Sequence, residues 1–360
     1  MAVSRPCYIT RERVARAPDV KFTARMNDSI DRAIESASEG IDGLCHRRFY
    51  NVDTTMYWDW PNFQRAYPWR LWFDEREIAD VTTNVPVVTT GTHVIPSNQI
   101  FWGPWNYSPP YTFMELSRAT NAAFGYSSTP QRDIAITATY GYWNRTSIAG
   151  VLSSDISSTS QNTMNVTNSS LLGVGDVAII DSERMLVIDR NMLTSGQSQI
   201  GSGCSTALNN DDILQVTDGT QFFTGETILL DSERMQIVDI AGNNLIVNRA
   251  WDGTTLTTHT AATIYAGRQL VITRGAYGTV ATTHLTSAVI RINTPPSMIR
   301  DLALAEAVVQ VLEETGAYTS SQGSGAGRVS GIGSSLTGEL GISRDKVQSR
   351  FARKARIRVV

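Results

Sequence analysis

The chain is poor in the residues that usually announce chemistry, with 3 cysteines and 4 histidines among 360 residues. Cys7, Cys45 and Cys204 lie far apart and form no CxxC pair, so neither a zinc site nor a disulfide framework is indicated, and an odd count fits a reducing compartment. Neither sign of charge dominates: 31 basic and 34 acidic residues give a formal net charge of -3, which predicts no general affinity for nucleic acid. No apolar run approaches a membrane span, and Arg5, Arg11, Arg13 and Arg16 are not followed by the apolar stretch of a signal peptide. Synthesis in the cytoplasm is therefore expected. Hydrophobic residues at 41% and charged residues at 18% belong to a folded chain, long enough for two or three domains.

Thr10 is placed to cap a short helix through Ala15 that ends before Pro18. In the longer helix that follows, Met26, Ile30, Ala33, Ile34, Ala37, Ile41, Leu44 and Cys45 recur at helical spacing, with Asp28, Asp31, Arg32, Glu35 and Glu39 on the other face. The partner expected for that stripe is a helix opened by Pro295-Pro296, whose Met298, Ile299, Leu302, Ala305, Val308, Val309 and Leu312 make one face. Leu304, Ala307 and Val311 leave it little polar surface, so it is buried by its own fold or by neighbouring subunits. Ile30, Ile34, Ile41, Leu302, Val309 and Leu312 are the predicted core and subunit-packing positions.

Between these helices lies an aromatic-rich region with Trp58, Trp60, Trp69, Trp72, Trp102 and Trp105, in which Tyr57 to Trp60 and Trp69 to Phe73 read as short strands. Such clusters stack on sugars or bases, but core and subunit contact is the favoured reading. Asp133 to Trp143 reads as a further strand with its exit.

From Ser147 to Asn293 the chain is rich in Ser, Thr, Asn and Gly and carries two kinds of repeat. Asp181-Ser182-Glu183-Arg184-Met185 returns unchanged as Asp231-Ser232-Glu233-Arg234-Met235. Arg249, Gly253, Thr254 and His259 are echoed by Arg274, Gly278, Thr279 and His284. Strand-like stretches at Val177–Ile180, Met185–Ile188, Thr227–Leu230, Met235–Ile240, Leu245–Val247 and Leu270–Ile272 alternate with turn residues, which argues for an antiparallel sandwich or small barrel.

None of the candidate chemical motifs amounts to a reaction centre. Ser182 and Ser232 have no histidine at an equivalent place in both repeats, so the pair reads as a duplicated turn with a charged hairpin tip. His259 and His284 match in position and are assigned a shared structural role, with no carboxylate at fixed spacing to suggest a metal. Asn209-Asn210-Asp211-Asp212 lacks the spacing of a calcium loop and reads as a turn. Gly323 to Gly327 follows a helix and has no Lys-Ser/Thr after it, so it reads as part of a flexible linker from Thr319 to Ser335 and not as a phosphate loop. No cofactor is expected.

The chain closes on a basic tail in which Arg350, Phe351, Arg353, Lys354, Arg356, Ile357 and Arg358 form a candidate docking segment. Phosphate contact is one reading. The alternation from Ala355 to Val359 favours addition to the sheet edge of a partner protein.

Tyr8-Ile9-Thr10 opening a short helix, a long helix ending in Leu44-Cys45-His46-Arg47-Arg48-Phe49-Tyr50, the stretch Ile134 to Trp143 and the helix Pro296 to Leu312 together resemble the head-to-tail connector (adaptor) proteins of tailed bacteriophages. The resemblance covers about half the chain. It implies an α+β fold, a small helical connector core in which the long N-terminal helix packs with the C-terminal helix and short strands, interrupted by the all-β antiparallel repeat insert. The corresponding divisions are 1–146, 147–293, 294–316 and 317–360.

It also implies a non-enzymatic structural virion protein at the neck, synthesised in the host cytoplasm. Its copies would form a homo-oligomeric ring, usually twelvefold, below the portal protein. Such a ring extends the channel through which packaged DNA passes without sequence-specific binding, and offers a docking surface to tail or neck proteins, with no membrane partner. The alternative is a receptor- or glycan-binding virion appendage that uses the aromatic region and the β insert.

Overall fold

The computed structural model describes residues 3–17, 26–60, 67–106, 109–319 and 332–353. In chain order the elements are α1 (Arg11–Ala15), α2 (Asn27–Cys45), β1 (Val52–Trp58), β2 (Arg70–Trp72), β3 (Ile78–Asp80), β4 (Val87–Thr90), β5 (His93–Ile95), β6 (Ile100–Gly103), β7 (Phe113–Leu116) and β8 (Ile134–Tyr140). There follow β9 (Thr146–Val151), β10 (Thr163–Asn165), β11 (Val177–Ile180), β12 (Glu183–Ser198), β13 (Ile213–Gln215), β14 (Thr227–Leu230), β15 (Glu233–Ala241), β16 (Asn244–Asn248), β17 (Thr263–Thr273), β18 (Val289–Asn293), α3 (Ser297–Thr319) and α4 (Ile332–Phe351).

This corrects the expected fold class. Antiparallel sheet dominates, with 35% of the chain in strands against 21% in helices, so the molecule is not a helical core carrying a small β insert. The error lay in the weight given to two long helical stripes. Short strands such as β2, β3 and β5 give only three residues of alternation each, and the long β12 is broken by bulges.

One compact unit comprises Met1–Ile41, Thr146–Ala276 and Val280–Lys346, and the other Asp42–Arg145, Tyr277–Thr279 and Val347–Val360. Helices α1 and α3 and most of α2 thus group with the repeat-bearing segment.

In the second of these units, β1-β8-β4-β5, with β3 also on β8, form one antiparallel sheet, and β2-β7-β6 form another. Inward residues of β8 (Ile134, Ile136, Ala138, Tyr140) share a core with Leu71, Ile100 and Met114 of the smaller sheet. Phe351 packs against Phe49 and Tyr142, with ring centroids 6.0 and 5.8 Å away.

In the first unit, Thr10 caps α1 through Arg13 N–H as expected. α2 and α3 lie side by side, with Gly40 against Glu306 and Arg32 bonded to Glu314. Ten strands, β9 to β18, form one antiparallel sheet. Its organisation is a nested duplication.

The pairing of β15 with β16 repeats that of β12 with β17, including the bulge: Ile237↔Val247 then Asp239↔Ile246 in one, Val187↔Ile272 then Asp189↔Val271 in the other. β13 on β16 likewise repeats β10 on β17. The inner module closes its β15–β16 hairpin with the two residues Gly242-Asn243 after Ala241↔Asn244. The outer module reaches the equivalent pair at Asn191↔Gln269, and the whole inner module occupies the place of that turn. What reads in sequence as two different repeats is one module inside another.

Candidate functional site

One cluster of buried ionisable side chains occurs twice, once in each module. Ile180↔Glu183 and Leu230↔Glu233 are the closing pairs of two-residue hairpins whose first turn residues, Asp181 and Asp231, adopt φ of 52° and 49°. Aspartate tolerates this left-handed conformation better than most residues, which accounts for the repeated Asp-Ser. The residue after the turn, Glu183 or Glu233, begins the next strand pointing inward and is fully buried.

In the inner module Glu233 accepts from Arg249 Nε at 2.7 Å and Nη2 at 2.8 Å, from Ala250 N–H at 2.8 Å and from Thr257 N–H at 3.0 Å. Its outer counterpart Glu183 accepts from Arg274 Nε at 2.7 Å and Nη2 at 2.9 Å, from Gly275 N–H at 3.0 Å and from Thr282 N–H at 3.0 Å. The arginines complete the cluster on backbone carbonyls: Arg249 donates to those of Thr206, Asp211 and Thr257, and Arg274 to those of Ser158, Gln161 and Thr282. Burial alone would raise the two glutamic acids, but the guanidinium, the two backbone N–H groups and an imidazole outweigh it and hold both at about 2.

A histidine closes each cluster. His259 lies 2.7 Å from Asp231 through Nδ1 and 3.0 Å from Glu233 through Nε2, and His284 lies 3.1 Å from Asp181 and 2.9 Å from Glu183. Both imidazoles are fully buried. Sequence reading paired these histidines with each other and missed their carboxylates. The missed signal was the order of the repeats, in which the two Asp-Ser-Glu segments precede the two Arg-to-His segments, as nesting requires.

Chemically, each cluster is a clasp. Every carboxylate oxygen of the glutamate is bonded, both imidazole nitrogens face carboxylates, and Ser182 and Ser232 stand exposed at the turns. The clasp staples a loop, Ala250 to His259 or Gly275 to His284, to the start of β15 or β12. A second buried pair joins the modules: Arg268 donates to Glu226 at 2.9 and 2.6 Å, and Glu226 also accepts from Ser169 N–H at 2.9 Å. Asp211, expected in a turn, accepts from the N–H groups of Cys204 and Thr206 at 2.9 and 2.8 Å.

Of the predicted packing positions, Ile30, Ile34, Ile41 and Leu302 are buried, while Val309 and Leu312 are half-buried. Of the docking segment, Arg350 is exposed, Phe351 is buried in its aromatic cluster, and Arg353 reaches Glu77 at 3.6 Å and donates its N–H to the Cys45 carbonyl. Lys354, Arg356, Ile357 and Arg358 lie outside the described residues, as do Gly323 to Gly327. Helix α4 occupies part of the expected linker. Its buried Val347 and Phe351 are spaced for one helical face, a signal that neighbouring Ser and Gly obscured.

The exposed aromatic side chains include Tyr67, Phe101 and Trp105, at 50%, 52% and 63% accessibility. Trp72 and Phe113 sit on the same outer face of the β2-β7-β6 sheet as Phe101, around Arg70, which is paired with Glu115. No protein-family model, no curated protein and no solved structure matches this chain.

Proposed function

We propose that this chain is a structural, non-enzymatic virion protein: a head-to-tail adaptor whose copies form a ring below the portal protein, extend the DNA channel and offer a docking surface to tail or neck proteins. The observation that carries the proposal is helix α3. One flank, Ile299, Leu302, Ala303, Ala307 and Val311, is buried. A second, made of Leu304, Ala305, Val308 and Val309, is only half-buried. A helix apolar on two flanks and covered fully on one is suited to a neighbouring copy, and closed rings need such a second, different contact face on every subunit.

The clasps agree with a scaffold role, since their glutamates, arginines and histidines are spent on holding loops. The sequence resemblance supplies the place within the particle. The exposed aromatic face around Trp72 and Phe113 favours a second reading, a glycan-binding appendage, because aromatic rings stack on sugar faces.

Antibody labelling of intact virions, viewed by electron microscopy, tests both. Label at the neck is expected. Label at the tail tip or over the capsid overturns the adaptor reading and turns attention to the aromatic face.

A further inference from the structure

Three buried ion pairs of this chain share one form. Arg249 on Glu233, Arg274 on Glu183 and Arg268 on Glu226 each present Nε and Nη2 to a single carboxylate, at distances from 2.6 to 2.9 Å. Glu77, buried just ahead of β3, breaks the pattern. Its carboxylate is shared by two arginines, with Arg47 Nη2 at 3.2 Å and Arg353 Nη2 at 3.6 Å. Both contacts are longer than the roughly 2.7–2.9 Å of a charge-assisted hydrogen bond. Arg47 Nε, Arg353 Nε and Arg353 Nη1 are buried and meet no hydrogen-bond acceptor among the described residues. Buried donors without an acceptor are rare in folded proteins, and two guanidiniums on one carboxylate leave a positive charge in excess. The group is one anion short.

Local structure fixes this arrangement. Arg47 follows the end of α2 and lies over the Tyr142 ring, 5.1 Å from its centroid. Arg353 follows α4, and its N–H donates at 3.0 Å to the carbonyl of Cys45, the last residue of α2. The Glu77 backbone is held in turn by Gly141 N–H, which donates to its carbonyl at 3.0 Å. All three side chains line a cavity of about 330 Å³. The exposed Arg48 and Arg76 line it too, opposed by Asp42 and Glu75. Its wall therefore sets the four guanidiniums of Arg47, Arg48, Arg76 and Arg353 against the three carboxylates of Asp42, Glu75 and Glu77. Every one of these residues belongs to the second compact unit.

We propose that this cavity binds a phosphate-class oxyanion, held by the guanidiniums of Arg47 and Arg353. A tetrahedral phosphate offers enough oxygens to accept from two planar forks at once, and it supplies the negative charge that Glu77 alone does not. The long contacts to Glu77 let each guanidinium turn toward the ligand at little cost. Arg48 and Arg76, being exposed, leave room for a phosphate that is part of something larger. Inorganic phosphate and the backbone of a nucleic acid share this chemistry.

The test uses the full chain labelled with 15N in arginine, titrated with inorganic phosphate at constant ionic strength. Two Nε–H signals, the ones lost in Arg47→Lys and in Arg353→Lys, are expected to shift and to saturate. Lysine keeps the charge and removes the fork, so either variant should bind phosphate roughly tenfold more weakly. Saturating phosphate should raise the wild-type unfolding midpoint by about 3 °C over chloride of equal ionic strength. A short DNA duplex is the second arm. If it moves the same two signals and displaces phosphate, with an effect that falls as salt is added, the site takes a nucleic-acid phosphate; if only inorganic phosphate moves them, it takes the free ion. Wild-type spectra in which no arginine Nε–H signal saturates with either ligand overturn the proposal, even where the variants fail to fold. Binding that survives unchanged in both lysine variants overturns it as well.

Discussion

Glu183 and His284 are 101 residues apart in sequence and 2.9 Å apart in the fold, whereas Glu233 and His259 make the same contact at 3.0 Å across 26 residues. The longer separation contains the shorter, and this relation defines the nested architecture. The outer clasp can form only after the chain has passed through the whole inner module, so its contacts carry the larger loop-closure entropy.

Nesting predicts that the inner module can be excised. Replacing Met192 to Arg268 by Gly-Asn would give the outer hairpin the turn that the inner hairpin already uses between Ala241 and Asn244. The shortened chain should remain folded, with a cooperative thermal transition and the β-sheet signal expected for its remaining strands by circular dichroism. A chain that unfolds or loses the Glu183–Arg274 half of the sheet would show that the outer module depends on the inner one.

The clasp glutamates should be far more costly to neutralise than their exposed turn neighbours. Glu233→Gln leaves Arg249 buried without a full carboxylate partner, and breaking a buried pair from one side costs about 3–5 kcal/mol. Denaturant unfolding should report a loss of that order, against less than about 1 kcal/mol for Ser232→Ala at the exposed turn. Hydrogen exchange should accelerate first at Ala250 and Thr257, whose N–H groups lose their acceptor.

Much of the local structure was legible in the sequence. The Thr10 cap, the stripe of α2 and the helix after Pro296 declare themselves within a few residues, because cap chemistry and helical period are local signals. The Asp-Ser turns were also readable. The partners of Glu183 were not, since Arg274 and His284 lie 91 and 101 residues away and no local pattern links them. The dominance of sheet was missed for a related reason: short strands are specified by their neighbours across the sheet more than by their own few residues.

Two glycines separate steric from conformational cost. Gly278 has φ of 84°, and a Cβ there would lie 1.7 Å from the Asp53 carbonyl oxygen; Gly242, at φ 64°, faces open space. Gly242→Ala should therefore cost about 1–2 kcal/mol for its left-handed backbone alone. Gly278→Ala must in addition displace the strand start at Asp53, whose N–H donates to the Tyr277 carbonyl at 2.9 Å. Its loss in unfolding free energy should exceed that of Gly242→Ala, and equal losses would mean that the loop yields without cost.

The acid limb of stability should come largely from the clasps. Glu183 and Glu233 are held at about 2 against an ordinary 4.5, so the folded form binds their protons more weakly than the unfolded chain does. Their contribution is complete above about pH 4.5 and is lost as the pH falls toward 2. Thermal unfolding from pH 6 to pH 2 should show this decline, and Glu183→Gln with Glu233→Gln should flatten it while lowering the midpoint at neutral pH.

Asp176 should behave in the opposite sense, and the duplication explains why. Its counterpart in the inner module is Glu226, which is bound by Arg268. The residue corresponding to Arg268 in the outer module is Asn293, so the aspartate lacks the equivalent cation and accepts from Gly173 N–H at 2.9 Å. Burial raises its carboxyl to about 7, with Glu12 adding to the shift and Arg13 and Arg190 opposing it. A raised carboxyl favours the folded state below its unfolded value of about 3.8, and that advantage is lost as the pH climbs through 7. Asp176→Asn keeps an acceptor for Gly173 while removing the charge. It should raise the unfolding midpoint at about pH 8 by a few degrees, a relief of about 1–3 kcal/mol, and should change it little below about pH 3.8, where the carboxyl is protonated in the folded and the unfolded chain alike. A variant less stable than the wild type at pH 8 would mean that the ionised carboxylate is held favourably by Arg13 and Arg190.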